Sequence, residues 1–292
     1  MMLTDGSVAL AKHFHVPEFI VGLTVMAVGT SMPELAVSFI SAIGGHGDMA
    51  IGNVVGSNIF NIFAVLGTCS IVSPIIFTKT NIRRDIPLCI VVSVGLLLVT
   101  AFDHTITRLE GIALLLSYIL MIWFTIRSDK RHAESKADNE EVKTMPTWRI
   151  PIWIILGLAG LIFGGEIFVD AASQVARKWG VSEATIAITM LAGGTSLPEL
   201  ASSLVSLAKG SQSLALGNVL GSNIANILLI LGVSSSVTPL TMGDITMFDI
   251  YVTVSTAFAV LLTAFIIGRN KLTRIEGVLF LLCYAAYIYT LV

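Results

Sequence analysis

Gly29-Thr30-Ser31-Met32-Pro33-Glu34 is the stretch that decides how this sequence is read, because a proline and a carboxylate interrupt an otherwise apolar run. It occurs twice. An ungapped offset of 165 residues lays Gly194-Thr195-Ser196-Leu197-Pro198-Glu199 on it. The same offset lays Gly217-Asn218-Val219-Leu220-Gly221-Ser222-Asn223-Ile224-Ala225-Asn226 on Gly52-Asn53-Val54-Val55-Gly56-Ser57-Asn58-Ile59-Phe60-Asn61. From Val16 to Pro74, 29 of 59 positions are identical across that offset. The matches are densest at Gly, Pro, Ser, Thr, Asn and Glu, the residue types that packing in lipid explains least.

Around this stretch the chain has the composition of a membrane protein. Hydrophobic residues make up 55% and charged residues 12%, and the mean hydropathy is +0.88, which excludes a soluble globular chain. The net charge of -2 carries no message about nucleic acid or acidic partners, so the lipid bilayer is the surroundings to reason from. Cys69, Cys89 and Cys283 lie far apart in apolar runs without metal-ligand spacing and read as packing residues. His13, His15, His46 and His104 fall near span ends and read as interfacial.

Spans of about 20 apolar residues are expected near 21–43, 50–71, 86–102, 109–126, 150–176, 184–208, 214–237, 247–267 and 275–292. A mixed segment ahead of the first span matches the tail of the 150–176 helix through Asp5, Ala11 and Val16, which align with Asp170, Ala176 and Val181. The first half has no counterpart of residues 150–165, so its first helix reads as a stub and the start of this sequence as internal to a longer gene product. The expected organisation is a first repeat at 1–126, a solvated linker at 127–149 and a second repeat at 150–292. Thr107-Arg108-Leu109-Glu110-Gly111 also resembles Thr273-Arg274-Ile275-Glu276-Gly277.

Basic residues set the orientation. With the linker cytoplasmic and the spans alternating, 14 Lys and Arg fall inside and only Arg108, Arg177 and Lys178 outside, so a multi-pass protein of the cell (inner) membrane is expected. Five spans separate Glu34 from Glu199, an odd number, so the two copies run upside down relative to each other. Inverted repeats with broken helices and a midplane site are a design of secondary transporters.

Pro33 and Pro198 remove a backbone donor and clash with the preceding turn, so each helix should break just before its Glu. The break frees carbonyls near residues 27–30 and 192–195, and such oxygens, lining a cavity, can bind a cation. Glu34 and Glu199 should meet at the pseudo-twofold axis, in an all-oxygen cage of the kind hard cations such as calcium require. No His or Cys lies in either core stretch, which argues against zinc or copper. Ser57 and Ser222 lie one helical turn before Asn61 and Asn226, so each Ser and Asn share a face.

Each residue also has a plainer use. Thr30, Thr195, Ser57 and Ser222 can bond back to helical carbonyls, and Asn53, Asn218, Asn58 and Asn223 are explained equally well by hydrogen bonds between helices. Gly52, Gly56, Gly217 and Gly221 read as close-approach glycines. For Glu34 and Glu199 ion binding prevails, because a buried charge costs at least about 2.5 kcal/mol on insertion scales and this one appears twice at matching sites.

At these motifs the sequence resembles the calcium/cation antiporters, and among them the small prokaryotic sodium/calcium exchangers, from about Asp5 to Val292. The resemblance implies an all-α, multi-span fold of about ten helices in two inverted five-helix repeats, here with the first helix truncated. It implies acidic ligands at Glu34 and Glu199, backbone ligands at Ala27, Ala192, Thr30 and Thr195, sodium-coordinating hydroxyls at Ser57 and Ser222, and central amides at Asn61 and Asn226. Some members of the family carry Asp where Asn226 stands; two carboxylates rather than three speak against a potassium-dependent exchanger. The family's first and sixth helices are thought to slide across the rest, so a chain short of most of one could bind ions without transporting them.

The function implied is calcium-for-sodium antiport across the cell membrane, with both ions as cargo and no cofactor. Two other readings stand beside it. A proton/calcium antiporter would titrate the same Glu pair, although the Ser57 and Ser222 hydroxyls lean against it, and a truncated chain could be a non-transporting cation-binding membrane protein. No nucleophile-base pair or metal-ligand cluster suggests an enzyme.

Overall fold

In the computed structural model, which describes residues 2–133, 145–178, 193–243, 245–267 and 270–291, the apolar runs are helices. The first repeat comprises α1 (Met2–His13), α2 (Glu18–Thr30), α3 (Met32–Ile43), α4 (Gly47–Val72), α5 (Ile86–Thr100) and α6 (Arg108–Ala133). The second comprises α7 (Arg149–Lys178), α8 (Leu197–Ala208), α9 (Gln212–Val237), α10 (Met247–Leu262) and α11 (Arg274–Leu291). The first part of the expected 184–208 span lies outside the described residues. The fourth span, expected at 109–126, is found at Arg108–Arg127, and its helix α6 continues beyond it to Ala133.

The breaks fall where proline dictates. α2 and α3 form one apolar span bent by 48°. Ser31 at the joint has φ -85° and ψ 11°, and Ser196 ahead of α8 has φ -92° and ψ 7°. Pro33 and Pro198 then sit in the first turn of α3 and α8, where a missing N–H has no intrahelical partner to lose.

α4 and α9 form the centre. Their apolar windows are 89% and 94% buried against 6% for α7, so α4 and α9 are walled by protein and α7 faces outward. The main core gathers Val54, Ile59 and Leu66 of α4 with Val219, Ile224 and Leu231 of α9. A second, smaller cluster joins α1 to α7 through Leu3, Ala11, Ile150 and Ile154, together with Val21, Met26 and Leu214. Glycine permits one decisive approach: a Cβ at Gly217 would stand 2.4 Å from the Phe19 carbonyl, and one at Gly221 2.5 Å from that of Leu23. The backbone of α2 therefore lies directly against α9.

Two short antiparallel pairs tie the repeats together at opposite ends of α5. β1 (Ile75–Ile76) pairs with β4 (Lys271–Leu272), with Ile75 opposite Leu272, and β2 (Thr105–Ile106) pairs with β3 (Leu240–Thr241), with Ile106 opposite Leu240. The Thr-Arg-x-Glu-Gly similarity now has a structural cause. Thr107 N donates to Glu110 Oε2 at 2.8 Å and Glu110 N to Thr107 Oγ1 at 3.3 Å, a capping box, and Thr273 N repeats the carboxylate half of it, donating to Glu276 Oε2 at 2.7 Å. Gly111 and Gly277 then let α6 and α11 abut Ser235 of α9 and Ser70 of α4. Cys69 and Cys89 are buried as expected, but Cys283 is exposed on α11 because that helix lies at the rim.

Candidate ion-binding site

Each broken span delivers its carboxylate to the centre. Glu34 lies in the first turn of α3 and Glu199 in that of α8, and both are fully buried. Their hydrogen bonds cross between repeats: Ser31 Oγ donates to Glu199 Oε1 at 2.7 Å, and Ser196 Oγ donates to Glu34 Oε1 at 2.8 Å. The serine at each break thus completes the other repeat's carboxylate. Glu34 Oε2 and Glu199 Oε2 have no protein partner, and among the described residues no cationic side chain pairs with either Glu.

The second motif lines the same space from α4 and α9. Ser222 Oγ donates to Glu199 Oε1 at 3.3 Å, whereas Ser57 Oγ, equally buried, has no partner. Asn226 Nδ2 donates to Asn58 Oδ1 at 3.0 Å and leaves its own Oδ1 unpaired; both side-chain atoms of Asn61 are unpaired. Asn61 and Asn226 themselves lie in π-helical turns, over Phe60–Leu66 and Asn226–Leu231. Such turns inside α-helices are frequent at functional sites.

The threonines and backbone positions are placed differently. Thr30 Oγ1 lies within bonding distance of the Met26 and Ala27 carbonyls, at 3.1 and 3.3 Å, and of Asn218 Oδ1 at 3.2 Å. Thr195 Oγ1 reaches Asn53 Oδ1 at 3.4 Å. The Ala27 carbonyl is not freed by the break, because it accepts Ser31 N–H at 3.0 Å; one lone pair remains for a ligand. Ala192 lies outside the described residues. Asn53 and Asn218 brace the Glu-bearing helices: Asn53 Nδ2 donates to the Glu34 carbonyl at 3.1 Å and Asn218 Nδ2 to that of Glu199 at 3.4 Å.

Ten buried side-chain atoms among the described residues have no hydrogen-bond partner, and seven of them belong to Glu34, Ser57, Asn61, Glu199, Asn223 and Asn226. Buried polar groups are ordinarily paired, so such a concentration marks a place where something else supplies the partner. Six of the seven are oxygens, two from buried carboxylates, which is the donor set a hard cation takes. Among the described residues there is no group of three or more His, Cys, Asp or Glu. The carboxylate pair and neutral oxygens are therefore the whole of the offered ligand chemistry there.

Comparison with known proteins shows the family. The profile of the sodium/calcium exchanger protein family matches residues 1–127 and 149–292. The chain belongs to the sodium/calcium exchanger family. It is 36% identical to the putative antiporter CaxA of Alkalimonas amylolytica, over 98% of this chain and 92% of that one. It is 31% identical to the sodium/calcium exchanger MaX1 of Methanosarcina acetivorans, over 97% and 91%. Its fold superposes on the sodium-calcium exchanger NCX_Mj with a TM-score of 0.84 at 32% identity, covering 100% of this chain and 92% of that one. It is accordingly a multi-pass membrane transporter of the exchanger type and not an enzyme, and sodium and calcium are the ions its family carries.

Ser31 and Ser196 are the site residues that sequence reasoning passed over in favour of the neighbouring threonines. Their signal was present, since both belong to the repeated Gly-Thr-Ser-x-Pro-Glu, but which hydroxyl crosses to the other repeat depends on helix rotation at the break.

Proposed function

We propose that this exchanger moves calcium against sodium across the cell (inner) membrane by alternating access to a midplane site between Glu34 and Glu199, with residues 1–126 and 150–292 as its two repeats and the 127–149 linker cytoplasmic. The observation that carries this reading is the cluster of unpaired, fully buried oxygens on the two carboxylates and their neighbours. Two buried carboxylates without a cationic partner are unfavourable in a low-dielectric setting, and one calcium ion balances their charge. Sodium ions satisfy the same oxygens in its place, with Ser57, Ser222, Asn61 and Asn226 completing the cage, the Ala27 carbonyl offering its remaining lone pair, and Thr30, Ala192 and Thr195 as the further backbone ligands that the family resemblance implies. Movement with the carboxylates uncompensated is opposed by the cost of burying their charge, so one ion type must replace the other and exchange results.

The packing supports α1 and α7 as the moving unit. The small apolar cluster that joins them is separate from the main core that fixes α4 to α9, and it meets the rest of the molecule through Val21 and Met26 of α2 and Leu214 of α9. The distribution of Lys and Arg, 14 on the linker's side against three on the other, supports its cytoplasmic placement.

The test is calcium-45 uptake into sodium-loaded proteoliposomes, comparing the parent chain with Glu34→Gln and Glu199→Gln. Uptake that follows the sodium gradient and falls to background in both variants is the expected result. Uptake driven by a pH gradient without sodium would replace this reading with a proton/calcium antiporter, and calcium binding without flux would make the chain a cation-binding membrane protein.

A further inference from the structure

The amides at the centre of the molecule are not arranged symmetrically. Asn58 on α4 and Asn223 on α9 clasp each other across the pseudo-twofold axis: Asn58 Nδ2 donates to the Asn223 carbonyl at 3.2 Å, and Asn223 Nδ2 to the Asn58 carbonyl at 3.1 Å. Both side chains are buried. So far the two are equivalent. Asn58 then does something its twin does not, because its Oδ1 also accepts Asn226 Nδ2 at 3.0 Å. The mirror-image bond, from Asn61 Nδ2 to Asn223 Oδ1, is not made, and both of those atoms lack a partner.

The chemical consequence lies in which end of the Asn226 amide meets a cation. An amide offers an oxygen acceptor at one end and two N–H donors at the other, and only the oxygen can ligate a cation. With its Nδ2 held by Asn58, Asn226 has its Oδ1 left over and unpaired. Without that bond the amide is free to turn about its last side-chain torsion, which is broad and roughly two-fold.

We propose that Asn58 is a positioning residue for the ion site: by accepting Asn226 Nδ2 it keeps the Asn226 amide oxygen presented to the bound cation, a task that Asn223 does not perform for Asn61. This rests on the site proposed above, in which Asn226 contributes a ligand oxygen. Asn58 itself touches no ion and acts through its neighbour. The clasp that it shares with Asn223 is a separate, structural role common to both.

The experiment compares Asn58→Ala, Asn223→Ala, Asn226→Ala and the doubles Asn58→Ala/Asn226→Ala and Asn223→Ala/Asn226→Ala, measuring calcium KM and maximal rate of sodium-driven uptake together with thermal midpoint in detergent. Both clasp variants should lower the midpoint, Asn58→Ala the more because it also removes the bond from Asn226 Nδ2. Asn58→Ala should raise calcium KM by about five- to twentyfold, and Asn223→Ala by no more than about threefold. In the Asn226→Ala background the KM effect of Asn58→Ala should vanish. Equal KM shifts for the two clasp variants, or effects of Asn58→Ala and Asn226→Ala that multiply, would overturn the proposal. If Asn226→Ala leaves calcium KM unchanged while Glu34→Gln abolishes uptake, Asn226 is not a ligand and the proposal falls, but the carboxylate site stands. Should the alanine variants not fold, Asn58→Leu and Asn223→Leu preserve volume and must show the same inequality. Asn58→Asp keeps the acceptor oxygen and must stay within about threefold of Asn223→Asp in KM.

Discussion

The Glu199 half of the site is more fully bonded than the Glu34 half, although the two are built from the same residues. Glu199 Oε1 accepts from Ser31 and Ser222, Glu34 Oε1 accepts from Ser196, and Ser57 stands unpaired where Ser222 is engaged. Asn226 is tied where Asn61 is loose. Sequence repetition supplies equivalent parts, but inverted copies have different neighbours, and the neighbours decide which bonds form.

The largest expected effect on this contrast comes from the crossed serines. Ser196→Ala and Ser31→Ala each remove a hydroxyl from a buried carboxylate, a bond worth about 1.5–3 kcal/mol, or roughly 10- to 150-fold in calcium KM. Ser196→Ala should sit at the upper end, because Glu199 retains Ser222 when Ser31 is removed. Uptake assays over a calcium series would show this ordering; identical losses would erase the distinction between the halves.

A smaller effect separates Ser222 from Ser57. In ion-free protein Ser222→Ala removes a bond of about 1 kcal/mol and should lower the thermal midpoint by roughly 2–4 °C, whereas Ser57→Ala removes none and should leave it within about 1 °C. A scan in detergent reads the difference directly, and a larger fall for Ser57→Ala would reverse the assignment. The smallest effect belongs to the Lys209–Asp5 ion pair between α1 and the start of the α8–α9 turn. Asp5 aligns with Asp170, but Gly44 stands at the position of Lys209, so the sequence does not repeat this pair at the other end. Partly exposed pairs are worth about 0.2–1 kcal/mol, so Lys209→Gln should change the ratio of calcium KM at the two membrane faces by no more than about fivefold. The change should disappear in about 1 M salt, and a salt-independent shift would point to packing instead.

Much of the architecture is readable from the residues themselves. Proline before each Glu fixes the breaks at Ser31 and Ser196, and the 165-residue offset gives the inverted repeat. The mutual facing of the two Glu and the Ser–Asn faces follows from the same spacing. Helix rotation is not readable: Thr30 and Ser31 are adjacent hydroxyls, yet Thr30 faces its own helix and the Asn218 amide while Ser31 reaches the Glu199 carboxylate. Nor are the strands, for two-residue apolar segments such as Ile75–Ile76 carry no periodicity. The π-helical widening after Asn58 and Asn223 leaves no compositional trace either.

Those strands have a consequence for how the protein is made. Ile75 pairs with Leu272 and Phe77 N–H with the Asn270 carbonyl, while Met242 N–H finds the His104 carbonyl. The backbone groups of the first half at these points acquire partners only from residues synthesised far later, and unpaired backbone groups are costly away from water. Maturation in the bilayer is therefore a late, whole-chain event. A gene split in the 134–144 region should give two polypeptides that accumulate in native form when coexpressed and are cleared by quality control when expressed singly.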